Sequence, residues 1–181
     1  IECYDVYKLQ PRKDLFYAMS HGVNRAVLKK GHNDSRIYFL NSLIKKIKGI
    51  NYDFYGFENK DPIWGDDFYK ALVDSKMGLN LSRGLPTKYY SSNRIASLMG
   101  NGLLTFIDQK TMLEDFFNKN EIVFYNNLND LADKINFYKK NDVLRKKIAM
   151  NGKKKYFKLF NETIVTKYII NKSIGKNANL F

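Results

Sequence analysis

Lys88-Tyr-Tyr-Ser-Ser-Asn-Arg-Ile-Ala-Ser-Leu-Met-Gly-Asn-Gly-Leu-Leu-Thr-Phe-Ile-Asp108 reads, in order, as a polar helix start, a short apolar helix, a glycine-marked stop and a buried strand. Ser91 and Ser92 are the residue types that cap helices. A helix N-terminus leaves about four backbone N–H groups without intrahelical partners and carries a partial positive charge. Set at the C-terminal edge of a parallel sheet, such an end is a seat for phosphate. Lys88 and Arg94 add full charges beside it. An ordinary capped helix carries the same local signature, so the surrounding chain has to decide.

Outward from that stretch, strand and helix signals alternate. Leu15-Phe-Tyr-Ala-Met19 is a short apolar run closed by Ser20-His21-Gly22, and residues 23–34 form a polar connection. Asp34 or Ser35 then caps a helix whose apolar positions Ile37, Leu40, Leu43, Ile44 and Ile47 recur at spacings of three and four. Tyr52–Tyr55 is a second strand, Asp66 opens a helix through Phe68, Ala71 and Leu72, and Met77–Leu81 is a third strand. After the quoted segment come a short helix (Met112–Phe117), a strand (Glu121–Tyr125) and a helix with Leu128, Leu131, Ile135 and Tyr138. The last helical stretch, from about Asp142 to Phe160, contains Gly152 and is expected to break there.

Five such alternations predict an α/β fold: one Rossmann-like domain with a mostly parallel sheet of about five to six strands and helices on both faces. The domain is expected over 15–165, after a linker or the end of a preceding domain (1–14) and before a basic C-terminal tail (166–181). Ligands of such sheets bind in the loops after the strand C-termini, here those starting at Ser20, Gly56, Ser82 and Asp108.

Composition narrows the classes. At 181 residues and 44% hydrophobic, with 13 Tyr and 13 Phe, the chain can bury a proper core. Its one cysteine, Cys3, excludes an internal disulfide and favours a cytosolic setting. No run approaches the roughly 18 apolar residues of a membrane span, and no signal peptide is evident. The first residue is Ile1, which suggests a piece of something longer. The formal charge of +13 is uneven: from Lys139 onward twelve Lys/Arg face two acids, leaving +10 in that segment. Such a segment suits anionic lipid headgroups, a nucleotide diphosphate or nucleic acid. Lysine dominates it, which favours diffuse charge over shaped base readout.

Several chemistries are excluded by missing motifs. Ser20-His-Gly-Val-Asn-Arg25 has one glycine where GxGxxG needs three, and no GxxxxGK[ST] occurs. His21 and His32 lie far from Cys3 and lack zinc-ligand spacing, so no metal is expected. His21, at a strand end beside Gly22, can hydrogen-bond a phosphate or a sugar hydroxyl, whereas His32 faces solvent. Arg25, Arg83, Lys88 and Arg94 follow consecutive strands toward one edge, and two or three such cations with helix N–H donors suffice to stabilise a departing diphosphate. Phe57 and Trp64, after the second strand, are candidates for stacking on a base.

The order of strand, Gly loop, helix, strand and aromatic loop, followed by Asp67-Phe-Tyr-Lys-Ala-Leu-Val-Asp-Ser-Lys-Met-Gly-Leu-Asn-Leu-Ser82, resembles the C-terminal half of a GT-B glycosyltransferase. In particular it is similar to group-1-type enzymes with a spore-maturation-like C-terminal domain. Asn93–Ile107 matches their R-(hydrophobic)-x-E-x-x-x-x-G helix and following strand, and Glu121–Ile135 their next strand and helix. Arg145, Ala149 and Gly152 stand where that family's C-terminal helix carries the same types.

The resemblance implies a nucleotide-sugar donor domain with no cofactor and no metal. The diphosphate would lie against His21, Gly22 and Asn24 and the Ser91, Ser92, Asn93 helix start, with Arg94 close by and the base near Gly56 and Phe57. Where many relatives hold the ribose with a helical glutamate this sequence has Ser97, and Tyr89 replaces a second glutamate eight residues earlier. GT-B enzymes close two Rossmann-like halves around the reaction, and the general base is expected in the N-terminal half, so no catalytic residue is assigned in this chain. The expected partners are therefore a nucleotide diphosphate sugar, a glycan, lipid or protein acceptor, that N-terminal half and an anionic membrane. The expected location is cytoplasmic, peripheral to the inner membrane, with a role in cell-envelope polysaccharide synthesis. The competing readings are a non-enzymatic basic α/β module that binds nucleic acid or an anionic surface, and a degenerate donor domain acting as a scaffold.

Overall fold

A computed structural model describes residues 3–20, 35–90 and 92–177. Its elements run β1 (Lys13–Ala18), α1 (Ser35–Ile44), β2 (Tyr52–Tyr55), α2 (Gly65–Val73), β3 (Ser75–Asn80), α3 (Asn93–Gly100), β4 (Leu104–Asp108), β5 (Val123–Tyr125), α4 (Leu128–Lys140), α5 (Asp142–Phe160) and α6 (Glu162–Ser173). The five strands form one sheet in the order β2-β1-β3-β4-β5, every pair parallel. The stretch expected as a short helix near Met112 is instead two 3-10 turns, Gln109–Thr111 and Leu113–Asp115, joined at Met112 in the left-handed region. Leu113 and Phe117 still bury their side chains.

Because strand side chains alternate between faces, β1 feeds two cores at once. Leu15 and Tyr17 point into the larger one, with Leu40, Leu43 and Ile47 from the α1 side and Leu131 and Ile135 from α4. Phe16 and Ala18 point the other way, against Ala71 and Leu72 of α2 and Leu98 of α3. Both faces are covered, which is why these strands read as near-continuous apolar runs.

Gly152 does not interrupt α5, which is continuous through it. A Cβ built there would stand 2.1 Å from the Glu121 carbonyl oxygen, so the glycine lets the helix lie directly on the chain entering β5. The segment before β1, expected as a linker or the end of a preceding domain, lies against the same body. Val6 is fully buried, and its N–H donates to the Asn101 carbonyl (3.0 Å). Lys153 Nζ donates to the Tyr4 carbonyl (2.7 Å) and to Asp5 (2.8 Å). At the other end, the region expected as a basic tail begins inside α6, which has no buried residue.

The amino-terminal end of the sheet is held by a buried carboxylate. Asp14, 3% exposed, accepts from Lys76 Nζ (3.0 Å), Lys139 Nζ (2.7 Å) and the Asn51 N–H (3.0 Å). Burial alone raises this carboxyl, but the Lys139 and Lys76 ammonium groups and the Asn51 amide outweigh it and hold it below its ordinary value. A carboxyl depressed on folding stabilises the protein above its unfolded pKa of about 3.9 and loses that contribution as pH falls through the folded value. Asp14→Asn is therefore expected to lower the urea-unfolding free energy at pH 7 by about 1–3 kcal/mol. The deficit should shrink below about pH 4, where the wild-type carboxylate is itself titrated. An equal deficit at pH 7 and pH 3 would contradict this role.

Candidate functional site

β1 and β3 are neighbours from which the chain departs in opposite directions, to β2 on one side and to β4 on the other. A sheet opens at such a point, and ligands settle outside the carboxyl ends of the two strands. Arg94, from the first turn of α3, spans that opening. Its Nε donates to the Ala18 carbonyl (3.4 Å), its Nη1 to the Leu81 carbonyl (2.9 Å), and its guanidinium lies 5.1 Å from the Tyr17 ring centroid. The Tyr17 hydroxyl donates to the same Leu81 oxygen (2.9 Å). Arg36, 5% exposed, donates through Nη1 to the Tyr17 hydroxyl (3.4 Å) and through Nη2 to the Ser20 carbonyl (3.3 Å).

Burial lowers the Arg94 guanidinium from its ordinary value, and the neighbouring Arg36 charge adds to the shift against the opposing Tyr17 and Tyr90 rings. Arg94 remains a cation at any working pH, since arginine does not deprotonate in proteins. Its contacts among the described residues are two carbonyl oxygens and an aromatic face, none of which carries a full negative charge. A partly buried positive charge of this kind has capacity for an anion.

Three compartments share this crossing. The central one is lined by Ser20, Arg36, Arg83, Tyr90, Ser92 and Arg94. On the α2 side a second opens over Trp64, Phe68, Tyr69, Asn93 and Ser97, sharing Ser20 and Arg94 with the first. On the α1 side lies a cleft of about 440 Å3, sharing Arg36, Ser82 and Tyr90 with the centre. Together they form one groove along the carboxyl edge of the sheet, with cations in the middle.

Of the residues singled out in the sequence, Arg83, Ser92 and Arg94 meet in the central compartment, and Asn93 and Ser97 line the α2 side. His21, Gly22, Asn24, Arg25 and Ser91 lie outside the described residues. Ser20, which leads into them, does reach the centre beside Ser92 and Arg94. The expectation for Ser92 is corrected: its hydroxyl donates to Asn80 Oδ1 (2.9 Å) and accepts no helix N–H, so among the described residues no side chain caps α3. The Ile95 N–H donates to the Ser92 carbonyl (3.0 Å), which leaves the Asn93 and Arg94 N–H groups as the donors of this helix start among the described residues.

Phe57 is also corrected. It is 2% exposed and packed in the larger core, so its ring cannot receive a base. Gly56 serves packing as well, with a φ of +72° and the Met19 carbonyl oxygen only 2.0 Å from where a Cβ would sit. Of the two aromatics singled out in the sequence, Trp64 is the available one, 69% exposed at the start of α2. Lys88 lies over the Tyr89 ring (4.7 Å), outside all three compartments.

Arg36, Tyr17 and Tyr90 escaped the sequence reading. Arg36 was hidden by the connection before α1, which gives no motif, and Tyr17 looked like another core aromatic. Tyr90 depends on a backbone feature: Tyr89 adopts a φ of +58°, held where its N–H donates to the Thr111 carbonyl (2.8 Å). Among the described residues no three His, Cys, Asp or Glu side chains cluster as metal ligands, and no helix is long and apolar enough to cross a membrane.

Residues 36–163 match the family model described as glycosyl transferase-like. No curated protein sequence matches the chain. Among solved structures it is similar to TarM, at 16% identity and a TM-score of 0.62 over 90% of this chain and 36% of that one. An S. aureus TarM variant in complex with fondaparinux, alpha-GlcNAc-glycerol and UDP gives 17% identity and a TM-score of 0.61, covering 90% and 36%. Anabaena Alr3699/HepE in complex with UDP gives 13% and 0.57, covering 94% and 43%. The chain therefore spans less than half the length of each. At these identities the likeness is one of fold, and the fold matches that of GT-B glycosyltransferases.

Proposed function

The chain belongs to the glycosyl transferase-like family, and on that premise we propose that it holds the nucleotide diphosphate sugar donor of a GT-B enzyme of the group-1 type with a spore-maturation-like C-terminal domain. The observation that carries this reading is Arg94: a partly buried cation at the opening between β1 and β3, whose partners among the described residues are all uncharged. The diphosphate sits in the central compartment. It accepts from Arg94, Arg36 and Arg83 and from the uncapped first amides of α3, and the nucleoside extends toward Trp64. UDP, bound in two of the structural relatives, is the first nucleotide to try.

As the bond between sugar and phosphate lengthens, negative charge grows on the leaving diphosphate. Fixed guanidinium groups and helix amides stabilise that charge without reorganising, which is the work a divalent metal does in other transferases. Catalysis by this route is metal-independent and uses no cofactor. The general base and the acceptor, a glycan, lipid or protein, belong to a second half that closes over the groove, so the 181-residue chain alone binds donor without turning it over. Ser97 is too short to replace a carboxylate on the ribose at full strength. Its hydroxyl is already donated to the Asn93 carbonyl (3.2 Å), so ribose recognition rests more on the aromatic side of the compartment.

Three measurements test this. Arg94→Met keeps the apolar stem and removes the charge; calorimetric titration with UDP, GDP and ADP should show more than a tenfold loss for the best ligand, about 1.5–3 kcal/mol for a charged hydrogen bond. Unchanged affinity in a folded variant would reject the diphosphate seat. Because Trp64 is the single tryptophan, its emission should change saturably with the same nucleotide and return on competition; an unresponsive Trp64 during proven binding would move the nucleoside elsewhere. Finally, α6 exposes Ile169 and Ile170 beside Lys167 and Lys172, which suits peripheral, cytoplasmic contact with an anionic membrane. Co-sedimentation with vesicles containing phosphatidylserine, lost at high salt, is the expected result. Absence of binding at low salt would reject the membrane contact and leave that face to the N-terminal half.

A further inference from the structure

The pole opposite the groove, where α4 meets α5 at Asn141, carries a second surface of its own character. It lies at the amino end of the sheet: Lys139 Nζ donates to Asp14 of β1 (2.7 Å) and to the Gly49 carbonyl before β2, and Arg145 Nη1 donates to the Lys76 carbonyl of β3 (3.1 Å). Three apolar side chains stand out at this corner: Phe137 is 48% exposed, Val143 84% and Leu144 39%. Helical spacing puts Lys140 on the face of Phe137, and Lys147 on the face of Val143 and Leu144. The turn between α1 and β2, drawn against α4 by the Lys139–Gly49 bond, adds the exposed Lys45, Lys46 and Lys48. None of these lysines has an acidic partner among the described residues. The acids of the same pole are engaged: Asp14 by Lys76 and Lys139, Asp142 by Arg145 and Lys146, and Asp74 by Arg12. An exposed acid, Asp133, stands one turn before Phe137 on α4.

We propose that this corner docks on an anionic bilayer: Phe137, Val143 and Leu144 enter the headgroup boundary, the lysines around them meet the lipid charge, and the groove faces away from the membrane. Apolar side chains that folding leaves in water, ringed by unpaired cations, match the hydrocarbon edge and the negative surface of such a bilayer together. A soluble polyanion such as nucleic acid would engage the lysines and leave Val143 and Leu144 in water. A second copy of the chain would set like charge against like. Ammonium groups, compact and without a planar fork, suit the spread charge of lipid headgroups. The surface is separate from α6, which starts beyond the last residue of α5, about 25 Å along that helix from Val143. The inference rests on the donor reading in one respect: a second half that closes over the groove meets the carboxyl edge of the sheet and leaves this pole uncovered.

The test is flotation with vesicles of phosphatidylcholine and phosphatidylserine, with pure phosphatidylcholine as the control. The wild type should bind the mixed vesicles at low salt and not the control. Val143→Ser with Leu144→Ser, and separately Lys140→Gln with Lys147→Gln, should each weaken that binding about tenfold. An Ile169→Ser, Ile170→Ser chain should still bind, and adding the Val143 and Leu144 changes to it should remove what remains. Trp64, at the groove, reads orientation: bromine-labelled lipid should leave its emission unquenched in the bound protein, whereas Val143→Trp in a Trp64→Phe background should be quenched. No binding to the mixed vesicles overturns the proposal, as does full binding by either corner variant. Quenching of Trp64 in the wild type overturns the orientation, and loss of all binding in the Ile169→Ser, Ile170→Ser chain assigns the contact to α6 instead. Calorimetric titration of the corner variants with UDP should match the wild type; a parallel loss there would place the corner's effect in the groove and overturn the proposal. A wild type that binds no nucleotide yet follows the expected vesicle pattern rejects the donor reading and supports the docking surface.

Discussion

The hydrogen bonds from Arg94 to the Ala18 and Leu81 carbonyls are the constraint on which the groove depends. At the point where β1 and β3 part, strand carbonyls lose their sheet partners and need donors. One planar guanidinium supplies two of them, and it leaves its charge at the rim. The Tyr17 hydroxyl, sharing the Leu81 oxygen, ties the same spot to Arg36 and so to α1. Residues from both faces of the sheet are thereby drawn to one edge. The groove lies where this crossing bridges the opening.

Much of the architecture was legible because it rests on local rules. β2 was expected at Tyr52–Tyr55, where it lies, and the helix-stop-strand order read in residues 88–108 is the order of α3 and β4. Parallel sheets covered on both faces write themselves as apolar runs separated by amphipathic helices, and periodicity finds both. Gly152 shows where local rules mislead. As sequence it is a helix breaker; in space it is the residue that lets α5 touch the Glu121 backbone, a requirement set by a partner some thirty positions away.

The site was legible in part, along the same division. Arg94 and Ser92 lie at a helix start, which sequence marks, and Arg83 follows a strand, so all three were in view. Phe57 and Trp64 were indistinguishable as aromatics in a polar loop. Which of them is buried depends on a turn at Gly56 packed against Met19. Arg36 and Tyr17 reach the groove only through a tertiary network of hydroxyl and carbonyl groups that no spacing encodes.

α3 is gripped at both ends. At its start sits the anion compartment; at its far end Asn101 accepts the Tyr4 N–H on its side chain (2.8 Å) and the Val6 N–H on its carbonyl (3.0 Å). An eight-residue helix is about 12 Å long and, at that length, behaves as a stiff rod. The polypeptide leading into β1 is thus clamped to the tail of the same rod whose head carries Arg94. Tyr4 and Val6 on one side and Arg94 on the other are therefore held at fixed separation by the two ends of one helix.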